Sequence, residues 1–178
     1  MKKPSDPFAK IRSATNEHRA QHGCTAYPYD DGPLLSALAA TAHARRILEL
    51  GTALGYTALS FAYGAPDSTV DTIDRDEEHV QLARDNIAAA TFDHRITVHH
   101  GEFAKVLSTL DPGYDVAFFD GGTPMPTLHA GLRGLLRTGG RCGSGNGGGI
   151  VFDGDAGNTR GDFLLRADGG YFPLDLIV

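Results

Sequence analysis

Basic charge is scarce in this sequence: 16 Lys and Arg stand against 22 Asp and Glu, a formal net charge of -6 at pH 7. Nucleic acid is gripped through clustered cations that displace its counterions, so this balance argues against nucleic acid as a partner. Cysteine is scarcer still. Cys24 and Cys142 lie far apart, make no disulfide framework and are expected as reduced thiols. No apolar stretch approaches the roughly 20 residues of a membrane span, and residues 1–7, MKKPSDP, contain no apolar core for a signal peptide. A cytoplasmic protein with no membrane partner is the expectation. Tryptophan is absent, yet a hydrophobic fraction of 41% over 178 residues suits one globular domain and is too little chain for two.

Glycine, by contrast, is plentiful, and its placement carries the most information. The segment ELGTALGYT, residues 49–57, follows the apolar run that begins at Arg46 and precedes the helical pattern from Ala58. Strand, tight turn and helix follow one another here, and Gly51 and Gly55 remove the Cβ atoms that would keep a cofactor from the backbone. About twenty residues beyond the turn, Asp74 ends a second apolar run, where a carboxylate can accept hydrogen bonds from the ribose hydroxyls of an adenosine. A dinucleotide site wants G-x-G-x-x-G, whereas these glycines are spaced G-x-x-x-G and Glu49 ends the strand. A carboxylate there repels a pyrophosphate and attracts an ammonium, which favours S-adenosylmethionine over NAD.

The rest of the chain reads as a single domain, 1–178, with an N-terminal helix and loop (1–30) ahead of an α/β core (31–178). A polar helix spans residues 7–20, a loop rich in Tyr, Pro and Asp spans 23–32, and a helix follows Leu34. Strands at 46–50, 70–73, 96–99 and 114–120 then alternate with helices at 57–63, 77–90, 103–110 and 126–136. Such alternation predicts a doubly wound, mostly parallel sheet in three α/β/α layers, with ligands outside the carboxyl ends of the strands. Residues 139–149 hold too many glycines to read as an interior strand. A strand at 150–152, a helix at 160–167 and a final strand at 171–178 complete the reading.

The order and spacing of DGPLL (31–35), ILELGTALGYT (47–57), TIDRDEEH (72–79), HHGE (99–102), YDVAFFD (114–120) and LLRTGG (135–140) resemble the small class I S-adenosylmethionine-dependent O-methyltransferases of the catechol and caffeoyl-CoA type, bacterial relatives included. The resemblance implies a Rossmann-like sheet binding S-adenosyl-L-methionine. Glu49, Gly51, Thr52, Ala53, Gly55, Tyr56 and Thr57 are then expected to hold its methionine part, Asp74 and Arg75 the ribose side, and Gly101, Glu102 and Phe103 the adenine edge. Asp120 is expected beside the transferred methyl, as a catalytic and cofactor-contacting residue, with Asn146 as its companion. A small, hydroxyl-bearing aromatic acceptor is implied.

In metal-dependent members an Asp-Asn pair joins the residue matching Asp120 to bind a divalent cation, which lowers the pKa of the attacking hydroxyl. Here that pair falls on Gly145 and Asn146, so Asp120 and Asn146 are the only candidate metal ligands left from it. One carboxylate and one amide hold magnesium poorly. Thr123 also stands where a lysine often serves as base. Three alternatives stay open: a rebuilt metal site using Asp153 and Asp155, a metal-free transferase, and a non-catalytic S-adenosylmethionine or S-adenosylhomocysteine binder. An NAD-dependent oxidoreductase is a more distant fourth.

His18, His22 and Cys24 have spacing compatible with zinc, but no carboxylate or second cysteine completes the set, so they read as solvated surface groups. His99 and His100 read as structural and Cys142 as inert. Tyr27 and Tyr29, with the preceding helix, are expected to form a substrate lid. The apolar final strand has no residues after it for a hairpin partner, which gives the expectation of a shortened C-terminal hairpin and a homodimer.

Overall fold

Strands that are apolar without alternation are covered on both faces, and the strand at the centre of this fold is built that way. In β1 (Arg46–Leu50), the four residues after Arg46 are all buried. The structure is a computed structural model that describes residues 5–119, 126–146, 149–153 and 163–166. Before β1 come α1 (Ala9–His22) and α2 (Gly32–Thr41). After it the chain runs α3 (Tyr56–Gly64), β2 (Thr69–Asp74), α4 (Glu77–Ala89), β3 (Ile96–His100), α5 (Phe103–Leu107), β4 (Tyr114–Phe119) and α6 (Pro126–Leu135). Three further strands follow: β5 (Leu136–Asn146), β6 (Gly149–Asp153) and β7 (Phe163–Arg166).

The strands form one sheet in the order β3-β2-β1-β4-β5-β6-β7. The pairings from β3 through β5 are parallel, and β5–β6 and β6–β7 are antiparallel. Successive strand residues point to opposite faces, so the sheet serves two cores. Ile47, Val70, Val116 and Phe118 pack with Leu35 of α2, Leu59 of α3 and Ile87 of α4. Leu48, Leu50, Ile73 and Phe119 pack on the other side with Leu107 of α5 and Leu132 of α6. This is the expected α/β arrangement in three layers.

Local signals fix the helix starts. The Asp31 side chain accepts from the Leu34 backbone N–H at 3.2 Å to cap α2, with Pro33 in its first turn. Asp76 caps α4 by accepting from Glu78 and His79, and Glu77 and Glu78 complement the dipole there.

Three elements differ from the sequence expectation. The glycine-rich segment is an interior strand after all: β5 lies between β4 and β6. Its register on β4 jumps from Tyr114↔Leu136 to Val116↔Arg141, and glycines make that irregularity possible. A Cβ on Gly140 would stand 2.8 Å from the Tyr114 carbonyl oxygen, and Gly139 has φ 78°. The helix expected at 160–167 is replaced by β7, which pairs along the edge of β6 from Phe152↔Phe163 to Gly149↔Arg166. An apolar edge strand gains more from a ladder of backbone hydrogen bonds than a short isolated helix gains from its own. α5 is also shorter, ending at Leu107. The expected final strand at 171–178 lies outside the described residues.

Two acids, half-buried Asp71 and buried Asp115, join strands across the sheet. Asp71 on β2 is bonded to His99 Nε2 at 2.7 Å and accepts from the Tyr114 hydroxyl at 2.8 Å, tying β2 to β3 and β4. Asp115 accepts from the backbone N–H groups of Arg45 and Arg46 at 2.7 and 2.8 Å and pairs with Arg137 Nε. Burial alone would raise both carboxyls, but the partners outweigh it and hold both below the usual carboxylate range. A depressed folded pKa contributes stability above the unfolded value of about 3.9 and loses it as the pH falls through the folded value. Urea midpoints are therefore expected to be level from neutral pH down to about 4 and to drop below it. Asp71→Asn should make that acid drop shallower, as read from midpoints measured against pH.

Candidate functional site

The carboxyl ends of β1 and β2 meet at the glycine turn, and Asp74 organises it. Its Oδ2 accepts from the backbone N–H groups of Thr52 (3.1 Å) and Ala53 (2.9 Å), and its Oδ1 accepts from Asp76 (3.0 Å). Gly51 and Gly55 take φ of 97° and 89°, and Gly55 starts α3. Ala53 also has positive φ, 44°, a conformation that costs an alanine about 1–2 kcal/mol. Its bond to Asp74 holds it there. Strain kept by specific hydrogen bonds is a mark of a functional turn.

Asp74 also faces His79, whose Nδ1 is 3.7 Å from Oδ2. The carboxylate stabilises the imidazolium against the opposing effect of burial and raises the His79 pKa to about 9. For Asp74, burial pushes upward, but His79 and the N–H groups of Asp76 and Ala53 prevail and the carboxyl lies below its usual range. Asp74 is thus an anion at neutral pH.

Behind the turn runs a buried relay. Thr72 donates its hydroxyl to Glu49 Oε2 at 2.6 Å, and since it has one proton, the 2.6 Å contact between the Thr52 and Thr72 hydroxyls has Thr52 as donor. Glu49 itself is fully buried. It lies behind Thr52 and reaches the cavity through this relay.

In front of the turn is a cavity of about 320 Å³. Of the residues expected at a cofactor, Gly51, Thr52, Ala53, Tyr56, Thr57, Asp74, Arg75 and Phe103 line it. Glu49, Gly55, Gly101 and Glu102 are not on its wall. Asp120 and the Asn146 side chain lie outside the described residues, as do Asp153's side chain and Asp155.

The remaining wall comes from the N-terminal segment and α4: Thr15, residues 24–28, Asp76 and His79. Sequence reasoning assigned this segment to a lid. Tyr27 fits, since it lines the cavity and is 62% exposed with Arg19 over its ring. Tyr29 does not: it is buried, edge-on to Phe118. Phe8 is buried as well and meets Tyr63 and Phe92 edge-on, so α1 is anchored in the core. An aromatic in a polar loop gives no sign in sequence of whether it covers a site or fills a core. His79 was missed because TIDRDEEH explains it adequately as a helix residue. The acid five positions earlier was the available signal.

Tyr56 ties these parts together. Its hydroxyl accepts from the Gly32 backbone N–H at 2.9 Å and donates to Asp6 Oδ2 at 2.7 Å. Burial and the Asp6 carboxylate raise its pKa, so it stays a phenol. Tyr56→Phe leaves a buried N–H unsatisfied and is expected to cost about 1–3 kcal/mol in denaturant unfolding.

Comparison with known proteins gives the following similarities. An O-methyltransferase family model matches residues 4–161. The catechol O-methyltransferase of Mycobacterium tuberculosis is 36% identical over 91 residues, covering 50% of this chain and 41% of that protein. The tRNA1(Val) (adenine(37)-N6)-methyltransferase of Salmonella arizonae is 40% identical over 76 residues, 42% of this chain and 31% of that protein. The chain thus spans less than half the length of either curated relative. Among solved structures, the O-methyltransferase TomG from Streptomyces achromogenes, in complex with SAM, superposes with TM-score 0.70 at 27% identity, covering 80% of this chain and 66% of that one. The O-methyltransferase from Bacillus cereus in complex with SAH gives 0.68 at 26% identity, with 79% and 66% covered. Exclusion of nucleic acid on net charge finds no support here, because a tRNA-modifying enzyme is among the similar proteins. Among the described residues no helix is long and apolar enough to cross a membrane.

Proposed function

This chain belongs to the O-methyltransferase family, and on that footing we propose that it binds S-adenosylmethionine in the cavity at Asp74 and transfers the methyl group to a hydroxyl of a small acceptor. The observation that carries the reading is the anionic Asp74 clamping a strained glycine turn on the wall of a 320 Å³ cavity. A carboxylate has about four acceptor positions, and three backbone N–H groups take three of them. With His79 Nδ1 also against Oδ2, at 3.7 Å, the open position is on Oδ1, and Asp74 accepts there from one ribose hydroxyl. Phe103 supplies an apolar surface for the adenine, with Gly101 and Glu102 shaping the chain behind it. Glu49 acts on the ammonium of the methionine part through the Thr72–Thr52 relay.

Transfer needs little from the protein beyond position and field. The acceptor hydroxyl gives up its proton to water, its oxygen attacks the methyl carbon in line, and the carbon–sulfur bond breaks with its electron pair returning to sulfur. The sulfonium becomes the neutral thioether of S-adenosylhomocysteine. Asp120, which follows β4 in sequence, and Asn146, which ends β5, are the proposed residues beside this step. Their donor set, with Gly145 in place of a second acid, does not fit magnesium, so no step is assigned to a metal. The catechol O-methyltransferase among the similar proteins supports a small acceptor. Gly145 and Thr123 favour a second reading, a binder of the methyl donor that no longer transfers.

Labelled S-adenosylmethionine with catechol, with and without a chelator, tests this. Labelled methyl ether and stoichiometric S-adenosylhomocysteine, unaffected by the chelator, are expected. Tight binding with no transfer to any hydroxyl acceptor would select the second reading, and transfer to tRNA alone would overturn the small acceptor.

A further inference from the structure

His18 on α1, Cys24 just beyond that helix and His79 in the first turn of α4 come from two separate parts of the chain, yet their ligand atoms all lie within 4.8 Å of one another. We propose that these three side chains form a zinc site that clamps α1 and the loop after it onto α4. The site uses neither Asp120 nor Asn146, and it does not rest on the methyl-donor reading.

His79 carries the argument. It is only 5% exposed, and its Nε2 is buried with no hydrogen-bond partner. An orphaned buried imidazole nitrogen is costly unless something binds it. Its other nitrogen, Nδ1, faces Asp74. That leaves Nε2 as the coordinating end and supplies the carboxylate behind a metal-bound histidine that fixes the ring's orientation. The His18 ring meets the His79 ring edge-on, 5.2 Å between centroids. Cys24 is half-buried, so an ion can enter past it from the surface.

Two imidazoles and a thiol form a donor set suited to zinc and unsuited to magnesium or calcium. Zinc–ligand bonds of about 2.0–2.3 Å place tetrahedral ligands roughly 3.3–3.8 Å apart, so the cluster closes by about 1 Å on binding. Cys24 binds as thiolate and His79 through a deprotonated Nε2, so each releases a proton to solvent as zinc replaces it. Three protein ligands leave a fourth position for water, on the side of the cavity that Cys24 and His79 line. A second group, His18, His22 and Glu78, also lies close together, but His22 and Glu78 are exposed. His22 stacks on His18 at 4.3 Å and is not a ligand in this proposal. Sequence alone offered His18, His22 and Cys24 as an incomplete set; the fold replaces His22 with His79.

The test uses the full chain, reduced and stripped of metal, titrated with Zn²⁺ against a chromophoric chelator and with Co²⁺ as a spectroscopic probe. One ion per chain is expected, with a thiolate-to-cobalt charge-transfer band and a rise in melting temperature. Cys24→Ser should abolish the band, and Cys24→Ser and His18→Ala should each weaken zinc at least ~100-fold, beyond the 10–100-fold typical of losing an outer-shell partner. His22→Ala and Glu78→Ala should leave affinity unchanged. In the unsubstituted protein, zinc should protect Cys24 from alkylation, which needs no variant to fold; buried Cys142 is the internal reference. No saturable binding, a cobalt complex without the thiolate band, or affinity lost only in His22→Ala and Glu78→Ala would each overturn the site.

Discussion

Gly64→Ala is expected to lower the unfolding free energy by ~3 kcal/mol or more, a drop in melting temperature of roughly 6–12 °C for a chain of this size. Gly64 closes α3 where it packs on α2. A Cβ there would stand 2.0 Å from the Ser36 carbonyl oxygen and 2.4 Å from its Cα. Both are backbone atoms in the middle of a helix, so no side chain can rotate away. α2 has to move off α3, and the Ser36 hydroxyl then loses the Ser60 carbonyl, to which it donates at 2.7 Å. The control is Gly131→Ala in α6, where the nearest atom to the new Cβ is Leu107 Cδ1 at 3.8 Å, an ordinary contact. Helix propensity then works alone, and Gly131→Ala should be neutral or stabilising by up to about 1 kcal/mol. Denaturant midpoints of the two variants measured side by side check both expectations.

Asp74→Ala carries the second large effect, on both stability and binding. Three backbone N–H groups lose their acceptor, Ala53 loses the bond that keeps it at positive φ, and the His79 imidazolium loses its counter-charge. A cost of about 3 kcal/mol is expected, together with S-adenosylmethionine affinity reduced at least ~100-fold, the factor that corresponds to 2.7 kcal/mol. Asp74→Asn separates the two roles. It keeps one acceptor oxygen for the turn but removes the charge, so unfolding should suffer less than in Asp74→Ala while ligand binding, read by calorimetry, stays badly impaired. Equal loss of stability in both variants, with unchanged affinity, would make Asp74 a structural residue only.

How far the sequence could be read depended on whether the information was local. The strand–turn–helix at Glu49–Thr57 and the acid at Asp74 are short patterns whose residues touch in the fold, and the structure places most of them around one cavity. The parallel core was legible for the same reason: short β-branched and apolar segments such as RILEL and YDVAFF alternate with helical ones, and acids at Asp31 and Asp76 cap α2 and α4. β5 was not legible, because its glycines contradict strand propensity and are required only by the irregular pairing with Tyr114 and Val116. β7 was misread as helix because four residues, FLLR, carry no periodicity, and only the edge of β6 decides their conformation. Tyr27 and Tyr29 stand two apart in one loop and end in opposite places, solvent and core. The meeting of His18 and Cys24 with His79 spans more than fifty residues of sequence and is purely tertiary.

The central claim is that the cavity at Asp74 is a methyl-donor site, and calorimetry of the unsubstituted protein with S-adenosylmethionine, S-adenosylhomocysteine and NAD tests it most directly. Saturable one-to-one binding of the first two and none of NAD is predicted, with thermal stabilisation of roughly 5–10 °C at a hundredfold the dissociation constant, the effect of about 2.7 kcal/mol of linkage. Binding of NAD in preference to the methyl-donor pair, or of none of the three, would contradict the account and leave the glycine turn with a purely architectural role.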